Sequence, residues 1–130
     1  MKIRDQDAWG NGHYGATRGT RTHNGVDLVC VPDEPFLSPL TGLVTKVGYP
    51  YGDPERRYIR YVEITSKGHK FRFFYLNPLV KVGDNITKND IIGTVISLQR
   101  FYPNITEHVH FEIINQKGEY IDPTSYVGFI

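Results

Sequence analysis

Cysteine is almost absent from this chain: Cys30 stands alone among 130 residues. One thiol cannot build an internal disulfide framework or a zinc ribbon of paired CxxC motifs, so any metal here must rely on histidine and carboxylate. A surplus of one charge is also missing, since 15 Lys+Arg face 14 Asp+Glu and the formal net charge is +1. With no basic run to neutralise phosphates, nucleic acid and stable membrane association are not expected. No apolar stretch approaches the roughly 18 residues that a membrane-crossing helix needs. The opening Met1-Lys2-Ile3-Arg4-Asp5-Gln6-Asp7 is charged and holds no apolar signal-peptide core. Synthesis in the cytoplasm without an export signal is therefore the expectation. Helical periodicity is lacking too, because no window of about 11 residues carries an apolar stripe free of Gly and Pro.

What is present is 39% hydrophobic and 13% aromatic residues, with 13 Gly and 8 Pro scattered between short apolar runs. Runs at 26–31, 43–47, 58–65, 71–76, 91–98 and 108–114 have strand length. Turn chemistry separates them, at Pro32-Asp33-Glu34-Pro35, at 48–54, and at Lys67-Gly68, Asn77-Pro78, Gly83-Asp84-Asn85 and Lys117-Gly118. This predicts an all-β, antiparallel fold in which 1–130 form one domain and 1–22 form an ordered, glycine-rich opening loop.

Two compact groups carry the chemistry: His23-Asn24-Gly25-Val26-Asp27 and His108-Val109-His110. Side chains alternate along a strand, so His108 and His110 project to one side, and His23 and Asp27 share a face if their segment is extended. Two imidazoles and one carboxylate satisfy the ligand count of a catalytic zinc site that keeps one position open. Either group alone has an ordinary reading, as imidazoles on a wet sheet face or as a chance pairing.

The two groups occur together with Ser38-Pro39-Leu40-Thr41-Gly42-Leu43-Val44, Val82-Gly83-Asp84, Ile92-Gly93 and His108-Val109-His110-Phe111-Glu112-Ile113. In order and spacing, over roughly 10–127, this set resembles the lysostaphin/LytM-type zinc metallopeptidases. The resemblance implies a β-dominated LytM-like domain with an open groove and one Zn2+ held by His23, Asp27 and His110. It also implies that His108 is the catalytic acid/base, and that the substrate is the peptide part of bacterial cell-wall peptidoglycan. The chemistry suits those residues: zinc polarises a carbonyl and acidifies water, and an imidazole moves protons near pH 7.

One position departs from the pattern. That family carries a second catalytic histidine in a Y-x-H-L motif, and the matching stretch is Phe73-Phe74-Tyr75-Leu76, with Tyr75 in its place. The same loss occurs in leukocyte cell-derived chemotaxin, a vertebrate relative that keeps the zinc site without being regarded as a working peptidase. The chain resembles it locally through 74–79 and 98–103. A phenol of reference pKa near 10 is no base at neutral pH, but it can donate to a developing oxyanion. Tyr75 is therefore expected as an oxyanion donor.

Other residues have plainer readings. His13 reads as a surface-loop histidine or a cleft-rim group, and His69 as a solvated turn residue. Glu112 continues the alternate series of His108 and His110 and either orients a ligand or makes a structural hydrogen bond. Cys30 reads as a small buried hydrophobe. Phe71 and Phe73 share Tyr75's face by alternation, as aromatic wall or core. Arg18 and Arg21 are either substrate-carboxylate contacts or solvated loop residues. Asn85-Ile86-Thr87 and Asn104-Ile105-Thr106 match the glycosylation pattern only by accident.

Three functions compete on this basis. The first is a zinc endopeptidase of peptidoglycan, phage or prophage encoded and reaching the wall by lysis, virion or secretion apparatus. The second is a catalytically impaired zinc module that binds a peptide, glycan or receptor. The third is a β-domain without metal, for which both histidine groups would be coincidental.

Overall fold

The computed structural model of the chain describes residues 2–7, 9–18 and 21–129. The strands, in order, are β1 (Thr17–Arg18), β2 (Arg21–Thr22), β3 (Val26–Val29), β4 (Pro35–Leu37), β5 (Gly42–Gly48), β6 (Tyr61–Ser66), β7 (His69–Phe74), β8 (Leu76–Pro78), β9 (Asn85–Ile86), β10 (Ile91–Val95), β11 (His108–Ile114) and β12 (Tyr120–Ile121). Helix is confined to the 3-10 turns Pro54–Arg56 and Thr124–Phe129 among the described residues. None of it is long and apolar enough to cross a membrane. Every predicted run holds a strand, with 71–76 split at Tyr75 between β7 and β8. The shorter β1, β2, β4, β8, β9 and β12 carry no detectable alternation in two or three residues, so the antiparallel pair β1-β2 lies within the segment expected as loop, and Pro35 and Pro78 look like turn residues.

The main sheet runs β12-β11-β7-β6-β5-β9, with β3 also paired to β11, and the smaller sheet runs β4-β10-β8. All of these pairings are antiparallel. Alternation divides the main sheet into two faces. Val62 and Ile64 of β6, Phe71 and Phe73 of β7, and Val109, Phe111 and Ile113 of β11 point into the core. There Phe73 stacks on Phe111 at 4.8 Å between ring centroids and meets Phe36 of the smaller sheet at 5.5 Å. The two sheets are thus joined by aromatic packing, worth more than burial alone.

The intervening residues form the opposite face, and the register lines them up. Glu63 sits opposite Arg72, Arg72 opposite Glu112, and His110 opposite both Phe74 and Asp27. A slip of one residue between β3 and β11 would turn Asp27 into the core, so the apolar residues on one face fix the polar pairing on the other. The opening segment pairs along β3: Ile3 bridges Leu28, and Arg4 N–H donates to the Asp27 carbonyl at 2.7 Å.

Candidate metal centre

Asp27 and His110 meet because β3 and β11 pair in that register, and His23 reaches them from the bend just before β3. The segment is bent at 24–25, not extended throughout. Gly25 explains the close approach. A Cβ there would lie 2.3 Å from the Phe111 carbonyl oxygen and 2.9 Å from Cε1 of His110, so only glycine lets this bend lie against β11.

Three atoms converge: His23 Nε2 and His110 Nδ1 are 3.0 Å apart, His23 Nε2 and Asp27 Oδ1 3.1 Å, and His110 Nδ1 and Asp27 Oδ1 3.0 Å. Each ring's other nitrogen is occupied. His23 Nδ1 lies 3.0 Å from the His13 carbonyl, which can only accept, so that nitrogen carries the proton. His110 Nε2 lies 2.8 Å from Oε1 of Glu112, whose carboxylate imposes the same choice. With both tautomers set, the convergent atoms of the neutral rings are all acceptors, and three acceptors at this spacing need a proton or a cation between them. Tetrahedral zinc at its usual bond lengths would hold its ligands about 3.3 Å apart, close to the triangle here. The donor set therefore fits a zinc ion.

The electrostatics respond to that convergence. Burial alone would raise the Asp27 carboxyl, but the imidazoles of His110, His23 and His108 around it hold it well below the usual range. Burial pulls His110 down, yet its bonds to Asp27 and Glu112 and their charges outweigh this and raise it to about 9. Glu112 in turn faces Arg72 Nη1 at 3.5 Å, and Arg72 Nε donates to Glu63 Oε2 at 2.8 Å. The orienting role considered for Glu112 thus has its geometry, and it belongs to a row of charges crossing three strands.

A third imidazole borders the triangle without joining it. His108 is buried, its Nδ1–H donates to the Thr106 carbonyl at 2.6 Å, and its Nε2 stands 3.6 Å from Asp27 Oδ2, beyond a good hydrogen bond. Burial lowers its pKa, against the raising effect of Asp27. Its ring meets that of Tyr75 edge-on at 5.3 Å. Tyr75 does not follow the alternation expected of it. Its φ of 78° lies in the left-handed region, so β7 ends at Phe74 and the chain turns there. Phe71 and Phe73 belong to the core, whereas Phe74 and Tyr75 both line the groove. Burial, with the Tyr51 and Asp27 charges, pushes the Tyr75 phenol well above its ordinary value.

This groove encloses about 810 Å³ and is walled by Trp9, Tyr51, Phe74, Tyr75 and Tyr102 beside the triangle. A polar chain runs along the wall: Arg56 Nη1 donates to the Tyr102 hydroxyl at 3.1 Å, and Tyr102 donates to Tyr51 at 3.2 Å. Tyr51 is hydrogen-bonded in turn to Tyr75.

Residues 21–123 match peptidase family M23. The chain belongs to peptidase family M23. It is 32% identical over 126 residues to leukocyte cell-derived chemotaxin-2 of Mus musculus, an alignment spanning 97% of this chain and 80% of that protein. The Bos taurus chemotaxin-2 gives the same identity and coverage. Among solved M23-type structures, the catalytic domain of the prophage-encoded protein EnpA of Enterococcus faecalis, as a point variant, superposes with a TM-score of 0.69. That pair shares 21% identity, with coverage of 97% of this chain and 98% of that one. Lysostaphin of Staphylococcus simulans superposes with a TM-score of 0.70 at 21% identity, covering 98% of this chain and 54% of lysostaphin. The fold is accordingly the antiparallel LytM-like fold of M23 peptidases.

Of the residues singled out in the sequence, His23, Asp27, His108, His110, Glu112 and Tyr75 come together in one groove. His13 contributes its carbonyl, while its side chain is exposed. His69 is not a turn residue: it begins β7, is half-buried and stacks on Phe71 at 6.4 Å. Cys30 is buried, and burial raises its thiol to about 11. Gly19 and the side chains of Arg18 and Arg21 lie outside the described part of the chain. Tyr51, Tyr102, Trp9 and Arg4 were missed as groove residues, because they come from loops whose sequences carry no periodic signal.

Proposed function

We propose that this M23 chain is a zinc metalloendopeptidase that cleaves peptide bonds of cell-wall peptidoglycan. Zinc would be held by His23 Nε2, Asp27 Oδ1 and His110 Nδ1, with His108 as acid/base and Tyr75 as oxyanion donor. One observation carries this reading: three acceptor atoms whose tautomers and ionisation are fixed by their other hydrogen bonds converge at 3.0 to 3.1 Å at the edge of an open groove. When bound there, zinc supplies Lewis acidity and a water of lowered pKa.

The chain's own groups are in the forms this chemistry asks of them. His108 is held by the Thr106 carbonyl in the tautomer that leaves Nε2 unprotonated, and its lowered pKa keeps it neutral near pH 7. It can take a proton at Nε2 from the attacking nucleophile and return it to the departing amine. Tyr75 stays protonated, so its hydroxyl is a donor for charge developing on the scissile carbonyl oxygen. Glu112 and the His13 carbonyl keep the ligand rings from rotating. Trp9, Tyr51 and Tyr102 form an amphipathic wall along which an extended peptide can lie.

The second reading, a catalytically impaired zinc module that binds a peptide or glycan, draws on Tyr75 and on the likeness to chemotaxin-2. Release of new amino termini from purified peptidoglycan separates the two. The proposal expects release by the zinc-loaded wild type and a loss of about 10² to 10⁴ in His108→Ala at unchanged zinc content. Silence of the wild type on several cross-link types, with activity gained by Tyr75→His, would establish the impaired module instead. Zinc content equal to that of a metal-free control after dialysis would end both readings.

A further inference from the structure

The opening segment reaches the candidate metal centre through one buried side chain. Arg4 is 2% exposed, and its Nε and Nη2 both donate to Oδ2 of Asp27, at 3.1 and 2.9 Å. The third nitrogen, Nη1, donates to Asp7 Oδ1 at 2.8 Å and to the Gly10 carbonyl at 3.0 Å. Asp7 is itself committed: its Oδ1 accepts from Trp9 N–H at 2.7 Å, and its Oδ2 accepts from Thr106 N–H at 2.9 Å. Thr106 is the residue whose carbonyl sets the His108 tautomer. A continuous path therefore runs from Asp27 through Arg4, Asp7 and Thr106 to His108.

We infer that Arg4 is a positioning residue of the metal centre: it occupies Asp27 Oδ2, leaves Oδ1 as the single ligand atom, and with Asp7 ties Asp27 and His108 into one unit. The inference rests on the proposed zinc site. Two guanidinium N–H groups on one carboxylate oxygen hold that oxygen in place and keep it from turning toward a metal. The planar fork does this, and an ammonium on a flexible stem cannot reproduce it. Backbone packing holds Arg4 in place as well. Arg4 N–H bonds the Asp27 carbonyl at 2.7 Å, Gly12 N–H bonds the Arg4 carbonyl at 3.1 Å, and Asp27 N–H bonds the Gly12 carbonyl at 2.8 Å. A Cβ on Gly12 would stand 2.6 Å from Arg4 Cβ and 3.0 Å from Asp27 Cβ, so the glycine is what allows the segment to run against the ligand strand.

Charge and position make opposite demands here, which is what makes the inference testable. As a bare positive charge beside a cation, Arg4 opposes zinc, and its removal would tighten binding. As a positioning group it favours zinc, and its removal would weaken binding by about 10- to 100-fold, the usual effect of losing a group that orients a metal ligand. The experiment is a zinc competition titration against a chromophoric chelator, with wild type, Arg4→Lys, Arg4→Met and Asp7→Asn, each checked for folding by circular dichroism without metal. The expected result is weaker binding in Arg4→Met, incomplete recovery in Arg4→Lys, and a smaller loss in Asp7→Asn, which touches Arg4 but is not itself in the triangle.

Binding within twofold of wild type, or tighter, in folded Arg4→Lys would overturn the inference and leave the zinc site standing. Should the Arg4 variants not fold, the wild type supplies the test. The Arg4 Nε–H signal in a 15N spectrum is expected to stay protected from exchange when zinc is added, and its loss on loading would mean that Oδ2 has turned to the metal, which refutes the assignment. Absence of zinc binding by wild type would fell the metal reading first and this inference with it.

Discussion

Zinc entering the His23, Asp27 and His110 triangle must displace a proton. Without metal, the three acceptor atoms are reconciled by protonating His110, whose pKa stands at about 9 against an ordinary 6.5. At pH 7 the ring is thus predominantly protonated, and a metal ligated through Nδ1 would require that proton to leave. The competition would weaken zinc binding at pH 7 by about two powers of ten relative to pH well above 9. Apparent affinity should therefore rise about tenfold per pH unit between 7 and 9 and then level off. Calorimetric titration with zinc at pH 7, in buffers of different ionisation enthalpy, counts the proton directly, with about one per zinc expected from His110. Release near zero would refute the ion-paired apo triangle.

The same pair predicts the sign of a stability effect. A folded-state pKa raised above the unfolded value contributes stability that is complete below about 6.5 and lost as pH rises through about 9. The metal-free protein should accordingly lose thermal stability across that window, and saturating zinc should abolish the dependence.

Three substitutions test other parts of the site. Glu112→Gln leaves one amide oxygen for two donors, His110 Nε2–H and Arg72, so one of them faces an NH2 group; zinc affinity should fall by about 10- to 100-fold, read by chelator competition. Gly25→Ala forces a Cβ into the Phe111 carbonyl, and the bend must move off β11; zinc binding should be lost before the thermal transition is, because the core face is untouched. Tyr75→Phe removes the hydroxyl and keeps the ring, so turnover on a peptidoglycan peptide should drop about 10²- to 10³-fold with little change in zinc content. Unchanged turnover would remove Tyr75 from the reaction.

Much of the site could be read in one dimension because its determinants are local. Alternation is a property of the strand itself, so His108, His110 and Glu112 had to share a face once 108–114 was extended, and Val109, Phe111 and Ile113 had to share the other. The pairing of a bend-forming His-x-Gly-x-Asp with that strand was legible through the resemblance it supports. Where the local rule broke, the reading broke with it: Tyr75 entered the groove through a left-handed φ, which no periodicity announces in a residue other than glycine.

The remainder depends on registers and crossings that bring together residues distant in the chain. That Asp27 faces His110 follows from which apolar residues of β3 and β11 are buried on the other side of the sheet. That Glu63, Arg72 and Glu112 form one row follows from the alignment of three strands. Arg4 reaches Asp27 because an opening segment with little regular structure lies along β3, and Tyr51 and Tyr102 meet because two loops fold over the same groove. The sequence by itself determined the kinds of side chain that converge and, for Asp27 and His110, the strands that carry them, since residue chemistry and strand periodicity are local. Only the tertiary structure decided tautomer, ionisation and the supporting arginine, because each of these is set by what stands within about 3 Å of a side chain, and hydrogen bonds have no longer reach.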